Sequence, residues 1–567
     1  MRKYILLLLS CCALGFQSSR AQSNSRHNFD IVKNLDIFNV VYKYLDVLYV
    51  DTLNANETVG AGINYMLATL DPYTEYYSEE QQEEMKEMLT GKFAGIGALL
   101  KYHRRLKCTV IDEPSKGMPA DEAKLKKGDI ILSVDGKKVT NMPINEVTKL
   151  IRGDAGTAVN LKVKRPLTGK TMNVKITRRT IQSPAMTYAG MVDDKTGLVV
   201  LSQFIEDCSK EVRRAVVELK KQGMQQMILD LRNNGGGDER EAVGLVGIFV
   251  PKGTLVVTNK GKHQGSVKEF RTTVEPIDSL MPLVVLANNG TASSSEITCG
   301  ALQDLDRAVI LGTRTYGKGL VQTVVDLPYN SSMKLTISKY YTPSGRCIQA
   351  RNYTHGKKPA TVHIPDSLTK EFRTAGGRVV RDAGGITPDV IVRADSITNI
   401  AYYLAYADST EAVFDFAAEY IASHPTISKP AEFALSDADY DRFCQKVAAS
   451  GFTYDRETEK LLKHLIEVAK FEGYYNDNKA EFDRIEKNLN HDLMRDLQYN
   501  KKQIMSILGL EIIPAYYYDK GSIEFSNSSD TQLKKALELL NDNESYHRLL
   551  TPVSNNGTTP STKTTEK

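Results

Sequence analysis

With 567 residues the chain is too long for one hydrophobic core, and at roughly 150 residues per domain it divides into three or four. Charged residues at 25% and hydrophobic residues at 41% give the ordinary balance of a soluble globular protein. A net charge of +4 is small for this length and leaves no electrostatic footprint for nucleic acid or an anionic membrane.

The N-terminus carries an export signature over residues 1–21. Arg2 and Lys3 form a basic start, and the apolar stretch from Ile5 to Phe16 is too short to span a bilayer comfortably. Ser19-Arg20-Ala21 then supplies small residues at cleavage spacing, which predicts a mature start near Gln22. In a cell with two membranes this sends the protein to the periplasm. Leu8-Leu9-Ser10-Cys11 offers a second reading, lipoprotein anchoring, which Leu9 fits poorly. Past the signal, Cys108, Cys208, Cys299, Cys347 and Cys444 are scattered and lack metal-ligand spacing. They read as small buried hydrophobes, with room for one disulfide.

Residues 22–90 read as a helical region. Ile37, Val40, Val41, Tyr44 and Leu45 recur at helical spacing, and a second helix over Ala61 to Leu70 stops at Asp71-Pro72. The acidic run Glu79 to Glu87 reads as a solvated helix face.

Residues 91–182 change character. The glycine-rich turn Phe93-Ala94-Gly95-Ile96-Gly97 leads into a strand, and Cys108 to Ile111 is another. A short helix after Gly117 and the strand Ile130 to Val134 follow, then the hairpin signal Asp135-Gly136. Ile144, Val147, Leu150 and Ile151 mark an amphipathic helix, and Val159 to Val163 is a closing strand. This order, with "GMPADEAKLKKGDIILSVDGKKV", resembles a circularly permuted bacterial PDZ domain. Such a domain adds an extended peptide to a sheet edge and takes its terminal carboxylate on backbone N–H groups. The resemblance implies that Phe93, Gly95, Ile96 and Gly97 form the carboxylate loop and that Ile144 and Val147 wall the groove. Core packing is the competing reading for Val147, Leu150 and Ile151.

Residues 183–398 alternate strand and helix, which predicts an α/β core. Strands are read at Leu198–Leu201, Met227–Leu231, Leu283–Ala287, Val309–Gly312 and Leu320–Val325. Residues 399–550 read as a helical domain. Leu461, Leu465 and Val468 share one face, and Phe482, Ile485, Leu489, Leu493 and Leu497 share another. The tail 551–567 is Ser/Thr/Asn-rich and reads as disordered.

The chemistry gathers between Thr291 and Gln322. Asn288-Asn289-Gly290 ends an apolar strand, and Ser293-Ser294-Ser295 heads a helix. Ser293 with Glu296 three residues on is a capping box, and by itself means only a helix start. The turn at the C-terminal end of a strand is also where α/β sheets expose reactive groups. No histidine lies in the window, so a serine nucleophile there needs another base, and lysine is the common substitute. Gly317-Lys318-Gly319, read on the following strand, supplies one where close backbone approach is open. Gln322, four residues along the same strand, would project from the same face.

The ordered motifs "FAGIG", "LDLRNNGGG", "NNGTASSSEITCGALQD", "RTYGKGLVQ", "YYTPSGRCIQ" and "GGITPDV" resemble the carboxyl-terminal processing, or tail-specific, proteases. The resemblance spans residues about 30 to 395. It implies an α/β, crotonase-like protease core with an inserted PDZ domain and a serine–lysine dyad. The nucleophile falls on Ser293, with Ser295 the alternative, and Ser294 stands where the family commonly has alanine. Lys318 is the base, twenty-five residues on, and Gln322 orients its amine. To accept the serine proton Lys318 must be neutral, although a free lysine titrates near 10.4. Backbone N–H groups of Gly235, Gly236 and Ser294 would hold the oxyanion, worth roughly 3 kcal/mol. Arg346, in "TPSGRCIQ", reads as structural or substrate-adjacent.

The substrates implied are proteins or peptides with free C-termini, with no cofactor, no metal and no nucleic acid. A homodimer and an activating adaptor are also consistent with the resemblance. Two other classes compete: a non-catalytic PDZ tail-binding adaptor, and a crotonase-type acyl-CoA enzyme. The second would need neither the signal, the PDZ domain nor the serine–lysine pair.

Overall fold

The structure is a computed structural model that describes residues 26–263, 265–350, 366–407, 409–489 and 492–552. The signal reading over 1–21 and all but the first two residues of the tail lie outside the described residues.

The chain forms two compact units. The first comprises residues up to Glu79 with Val324–Leu335. In it a helix covers residues 26–48, and a second runs Ala55–Ala68 behind an Asn54 N-cap. The strand Glu75–Tyr77 pairs antiparallel with residues 332–334. The spacing around Ile37, Val41 and Tyr44 does mark a helix, but these side chains are exposed, as are Phe29, Leu35, Phe38, Leu45 and Leu48.

The second unit holds the remaining residues. At its centre the strands Thr196–Leu201, Gln226–Asp230, Leu283–Ala287, Val309–Gly312 and Val390–Ile391 run parallel in that order, edged by the antiparallel Met186–Met191. Alternate residues feed two different cores, which is why these strands read as unbroken apolar runs. Leu229, Leu283, Val285 and Ile310 face the helices Cys208–Lys221, Glu239–Val246 and Ser294–Asp304. Ile228, Val284, Leu286 and Leu311 face Leu533, Ala536, Leu540 and Tyr546 instead. The last two helices, Thr531–Asn541 and Asn543–Leu550, therefore cover the far side of the core sheet.

Between residues 399 and 527 the helices build a core of their own around Phe416, Tyr440, Phe443, Ile504 and Leu508. The single helix face read from Phe482 to Leu497 is divided: one helix ends at Leu489 and Leu493–Tyr499 begins anew behind an Asp492 N-cap.

The strands Ala98–His103, Cys108–Pro114, Ile130–Val134, Ala158–Lys164 and Thr171–Thr177 form an antiparallel sheet in that order. The helix Ile144–Ile151 packs on one face through Val147 and Ile151. A two-stranded ribbon, Lys92–Gly95 with Arg179–Gln182, joins the entry and exit of this domain. Its outer sheet face, Cys108, Val110, Ile130 and Leu132, is covered by Phe414 of the helix Ala412–Ser423. All five described cysteines are free, and four are buried.

Candidate active site

Ser293 stands between the strand Leu283–Ala287 and the helix Ser294–Asp304, at φ 56° and ψ −118°. A non-glycine residue held there is strained, and a serine on a sharp strand-to-helix turn has its hydroxyl thrust outward. The three adjacent hydroxyls differ in what they touch. Ser294 Oγ donates to Gly237 O at 2.8 Å, and Ser295 Oγ donates to Asn234 O at 2.9 Å. Both side chains are buried. They stitch the helix start to the glycine-rich loop, while the half-buried Ser293 hydroxyl is not tied to that loop.

The loop Asn233–Gly237 presses against the same turn. A Cβ on Gly236 would lie 2.7 Å from Ser293 Cβ and 2.7 Å from Ala292 O, and Gly236 has φ +96°. Only glycine fits that approach. The Gly236 N–H, read as an oxyanion donor, instead donates to Asn234 Oδ1 at 2.9 Å. The N–H groups of Gly235 and Ser294 have no acceptor among the described residues. Upstream, Arg232 anchors the loop by ion-pairing with Asp230 and with Asp530, the N-cap of the helix Thr531–Asn541. Gln532 Oε1 takes a further Arg232 N–H at 3.0 Å.

Lys318 lies in an irregular segment, and the strand begins only at Leu320. The shared-strand reading of Lys318 with Gln322 is thereby corrected. The reason is Glu296, which takes the N–H groups of Gly317 at 2.7 Å and Lys318 at 2.9 Å away from any strand ladder. Glu296 also accepts from Thr315 Oγ1 at 2.6 Å and from Ser293 N at 3.0 Å. Burial pushes this carboxyl up to about 7, against the pull of those donors. The capping-box spacing found half of this arrangement; nothing local foretold the other partners.

The glycines flanking Lys318 are used as read. A Cβ on Gly317 would meet Ala350 Cβ at 2.3 Å, and one on Gly319 would meet Gln349 N at 2.9 Å. The Gly319 N–H donates to Gln349 Oε1 at 2.6 Å. Gln322 Nε2 donates to Thr336 Oγ1 at 3.1 Å, which fixes the amide.

Arg346 is buried and lies at the far end of the helix Ser294–Asp304. It bonds Asp304 Oδ1 at 2.7 Å and Gln303 Oε1 at 2.8 Å. These partners all lie inside the fold. Asp304 also accepts from Thr342 Oγ1 at 2.5 Å, and Gln303 donates to Thr387 O at 3.0 Å, so the last two sequence motifs converge on this helix.

In the peptide-binding domain, Gly97 at φ +69° packs so tightly that a Cβ would meet Met118 Cβ at 2.3 Å. The carbonyls of Ile96 and Gly97 accept from Ala120 and Ser115, while their N–H groups have no acceptor among the described residues. Gly95 belongs to the joining ribbon, and Phe93 lies 4.8 Å from the Arg152 guanidinium. Ile144 is half-buried at the helix start. Val147, read as groove wall, is wholly buried in the domain core and has no surface to offer a ligand.

Residues 195–359 match the peptidase family S41 model, residues 110–165 a PDZ domain, and residues 400–540 the C-terminal helical domain of probable PDZ-proteases. The carboxy-terminal-processing protease of Bartonella bacilliformis is 32% identical over 352 residues, covering 61% of this chain and 79% of the relative. A probable CtpA-like serine protease of Staphylococcus aureus is 36% identical over 337 residues, covering 59% of this chain and 65% of its own length. Among solved structures, the photosystem II D1 C-terminal processing protease aligns at 29% identity and TM-score 0.34, covering 63% of this chain and 86% of that one. A peptide-bound PDZ domain of the Vibrio cholerae carboxy-terminal protease aligns at 31% identity and TM-score 0.15, covering 16% and 99%. The chain belongs to the carboxy-terminal-processing protease family and is a serine-type endopeptidase.

Proposed function

We propose that this protein is an exported endopeptidase that captures protein C-termini on its PDZ domain and cuts them through a Ser293–Lys318 dyad. The observation that carries the choice of nucleophile is the division among the serine hydroxyls: Ser294 and Ser295 are spent on the glycine-rich loop, and Ser293 holds the strained turn.

In this reading neutral Lys318 takes the proton of Ser293 Oγ as that oxygen bonds the scissile carbonyl carbon. The carbonyl oxygen becomes an oxyanion facing the N–H groups of Gly235 and Ser294. The C–N bond then breaks, and the leaving amine takes the proton from Lys318. Water, deprotonated by Lys318, attacks the acyl-enzyme and releases Ser293. The Gln322 amide oxygen accepts from the lysine amine and orients it.

The unspent N–H groups of Ile96 and Gly97 support carboxylate capture. The basic and apolar start of the sequence supports export to the periplasm, and no helix among the described residues is long and apolar enough to cross a membrane. The many exposed apolar side chains of the helix over 26–48 support a homodimer, since a large exposed apolar patch is normally covered. Light scattering on the mature protein tests that part.

The test of the activity is cleavage of an unfolded substrate with a free apolar C-terminus by residues 22–567. Ser293→Ala and Lys318→Ala must each abolish turnover, while Ser295→Ala must keep it. Cleavage that survives Ser293→Ala refutes the assignment.

A further inference from the structure

Among the described residues the strand Ala98–His103 is paired on one side only, with Cys108–Pro114. Its other edge is open to a peptide. The carboxylate loop precedes this strand, so a tail seated there runs antiparallel to it, its upstream residues passing toward Tyr102 and Arg104. Pairing residue for residue along this strand of six brings roughly the fifth to seventh residue from the C-terminus opposite Tyr102–Arg104.

At that end of the strand lies a cavity of about 380 Å³. Its walls come from both the PDZ domain and the C-terminal helical domain: Tyr102 and Arg104 on one side, Leu404, Tyr406 and Phe414 on the other. The helical domain supplies its wall through a π-helical turn, Tyr403–Ala407, an irregularity common at functional sites. The charges in the cavity are unequal. Glu411 is spent, accepting from Lys101 Nζ at 2.8 Å and from the Arg104 N–H at 3.3 Å. Glu511 is spent on Lys127 at 2.7 Å. The Arg104 guanidinium has no acidic partner among the described residues, its bond to Glu411 being through the backbone N–H.

We propose that this cavity is an upstream tail subsite, in which the PDZ domain and the helical domain together read a substrate residue about six from the C-terminus. It takes an acidic side chain on Arg104, beside apolar contact with Leu404 and Tyr406. The subsite rests on the reading that the PDZ domain captures C-termini. It adds a specificity determinant that the PDZ domain alone does not contain, because most of the wall is helical domain.

The experiment is fluorescence anisotropy on full-length Ser293→Ala protein with synthetic tails of about five and about ten residues sharing one C-terminus. The longer tail carries either Glu or Lys about six residues from its end. The acidic long tail should bind about tenfold tighter than the short one, the Lys tail should lose that gain, and Arg104→Glu should reverse the order. Equal affinity of long and short tails, or indifference to Glu against Lys, overturns the subsite and leaves tail capture standing. Binding that is unchanged by amidating the C-terminus, or absent for every tail, overturns tail capture and the subsite with it.

Discussion

Glu296 accepts the backbone N–H of Ser293 at 3.0 Å with the same oxygen that takes the N–H of Lys318 at 2.9 Å. One carboxylate therefore fixes the distance between the two segments that carry the proposed dyad. Its second oxygen takes Gly317 N–H and Thr315 Oγ1, so in the ionised form both oxygens are acceptors only. A glutamine here would turn an NH₂ group toward donors and leave buried N–H groups unpaired. Glu296→Gln should lower kcat by about 100-fold with little change in KM, and lower stability by about 1–3 kcal/mol. A fall in KM-dependent binding with kcat preserved would show that Glu296 does not position the dyad.

The same carboxyl makes stability and activity move in opposite directions with pH. Burial raises it to about 7 from 4.5, so the folded chain holds this proton more tightly than the unfolded one. Its contribution to stability is full below 4.5 and is lost as pH rises through 7, by up to about 3 kcal/mol. The ionised form is nevertheless the one that accepts every donor, so activity should rise over that window. Urea unfolding of wild type and Glu296→Gln across it should give a stability difference that shrinks as pH rises. A difference that stays flat excludes titration of Glu296 there.

Two glycines of the loop proposed to hold the oxyanion separate cleanly. Gly236→Ala places a Cβ 2.7 Å from Ser293 Cβ at φ +96°, so the loop must move away from Ser293. Turnover should fall about 100-fold or more. A Cβ on Gly235 meets nothing within 4 Å, and its N–H is unchanged by alanine. Gly235→Ala should keep activity within about tenfold. Equal losses in both would place the oxyanion donors elsewhere.

What was legible in the sequence was mainly what neighbouring residues decide. The core strands Leu283–Ala287 and Val309–Gly312 were readable because both faces are buried and the apolar run is unbroken. Gly317 and Gly319 announced a close approach, though not that Gln349 and Ala350 make it. The strand assignment of Lys318 failed because Glu296, far away in the chain, takes the backbone N–H groups a ladder would need. Val147 was read as groove wall because an amphipathic helix shows which face is apolar, not how deeply that face is buried. The antiparallel partners Leu255–Gly261 and Ser331–Tyr341 went unread, since their half-exposed patterns carry little periodicity.

Arg346 tests whether a buried family-motif arginine is catalytic or structural. It pairs with Asp304, and both side chains are almost fully buried. Removing one partner leaves the other charge uncompensated, at a cost of about 3–5 kcal/mol. Arg346→Met should lower the thermal midpoint by many degrees, yet the protein that stays folded at low temperature should keep kcat within about tenfold. Active-site titration against total protein separates the two effects. A fully folded but inactive variant would bring Arg346 into the chemistry.

Phe414 decides whether the PDZ domain stands alone or is held. Its ring covers Cys108, Val110, Ile130 and Leu132, with Lys101 Nζ at 4.7 Å and Lys127 Nζ at 4.8 Å from the ring centre. His103 meets it edge-on at 5.9 Å and bonds Asp415, the next residue on the same helix, at 3.0 Å. An isolated PDZ sheet would leave that outer face to water. Phe414→Ala removes the apolar cover and the ring that both lysines lie over, at a cost of about 3–5 kcal/mol. The loss falls on the docking of the two domains, since the PDZ core around Ile111, Ile131 and Val163 is a separate cluster. Hydrogen exchange should therefore quicken in Cys108–Pro114 and Ile130–Val134, while the core strand Leu283–Ala287 stays protected. If protection over Cys108–Pro114 is unchanged, the PDZ sheet is stable without the helical domain, and the contacts of Lys101, His103 and Lys127 only decorate a face that folds by itself.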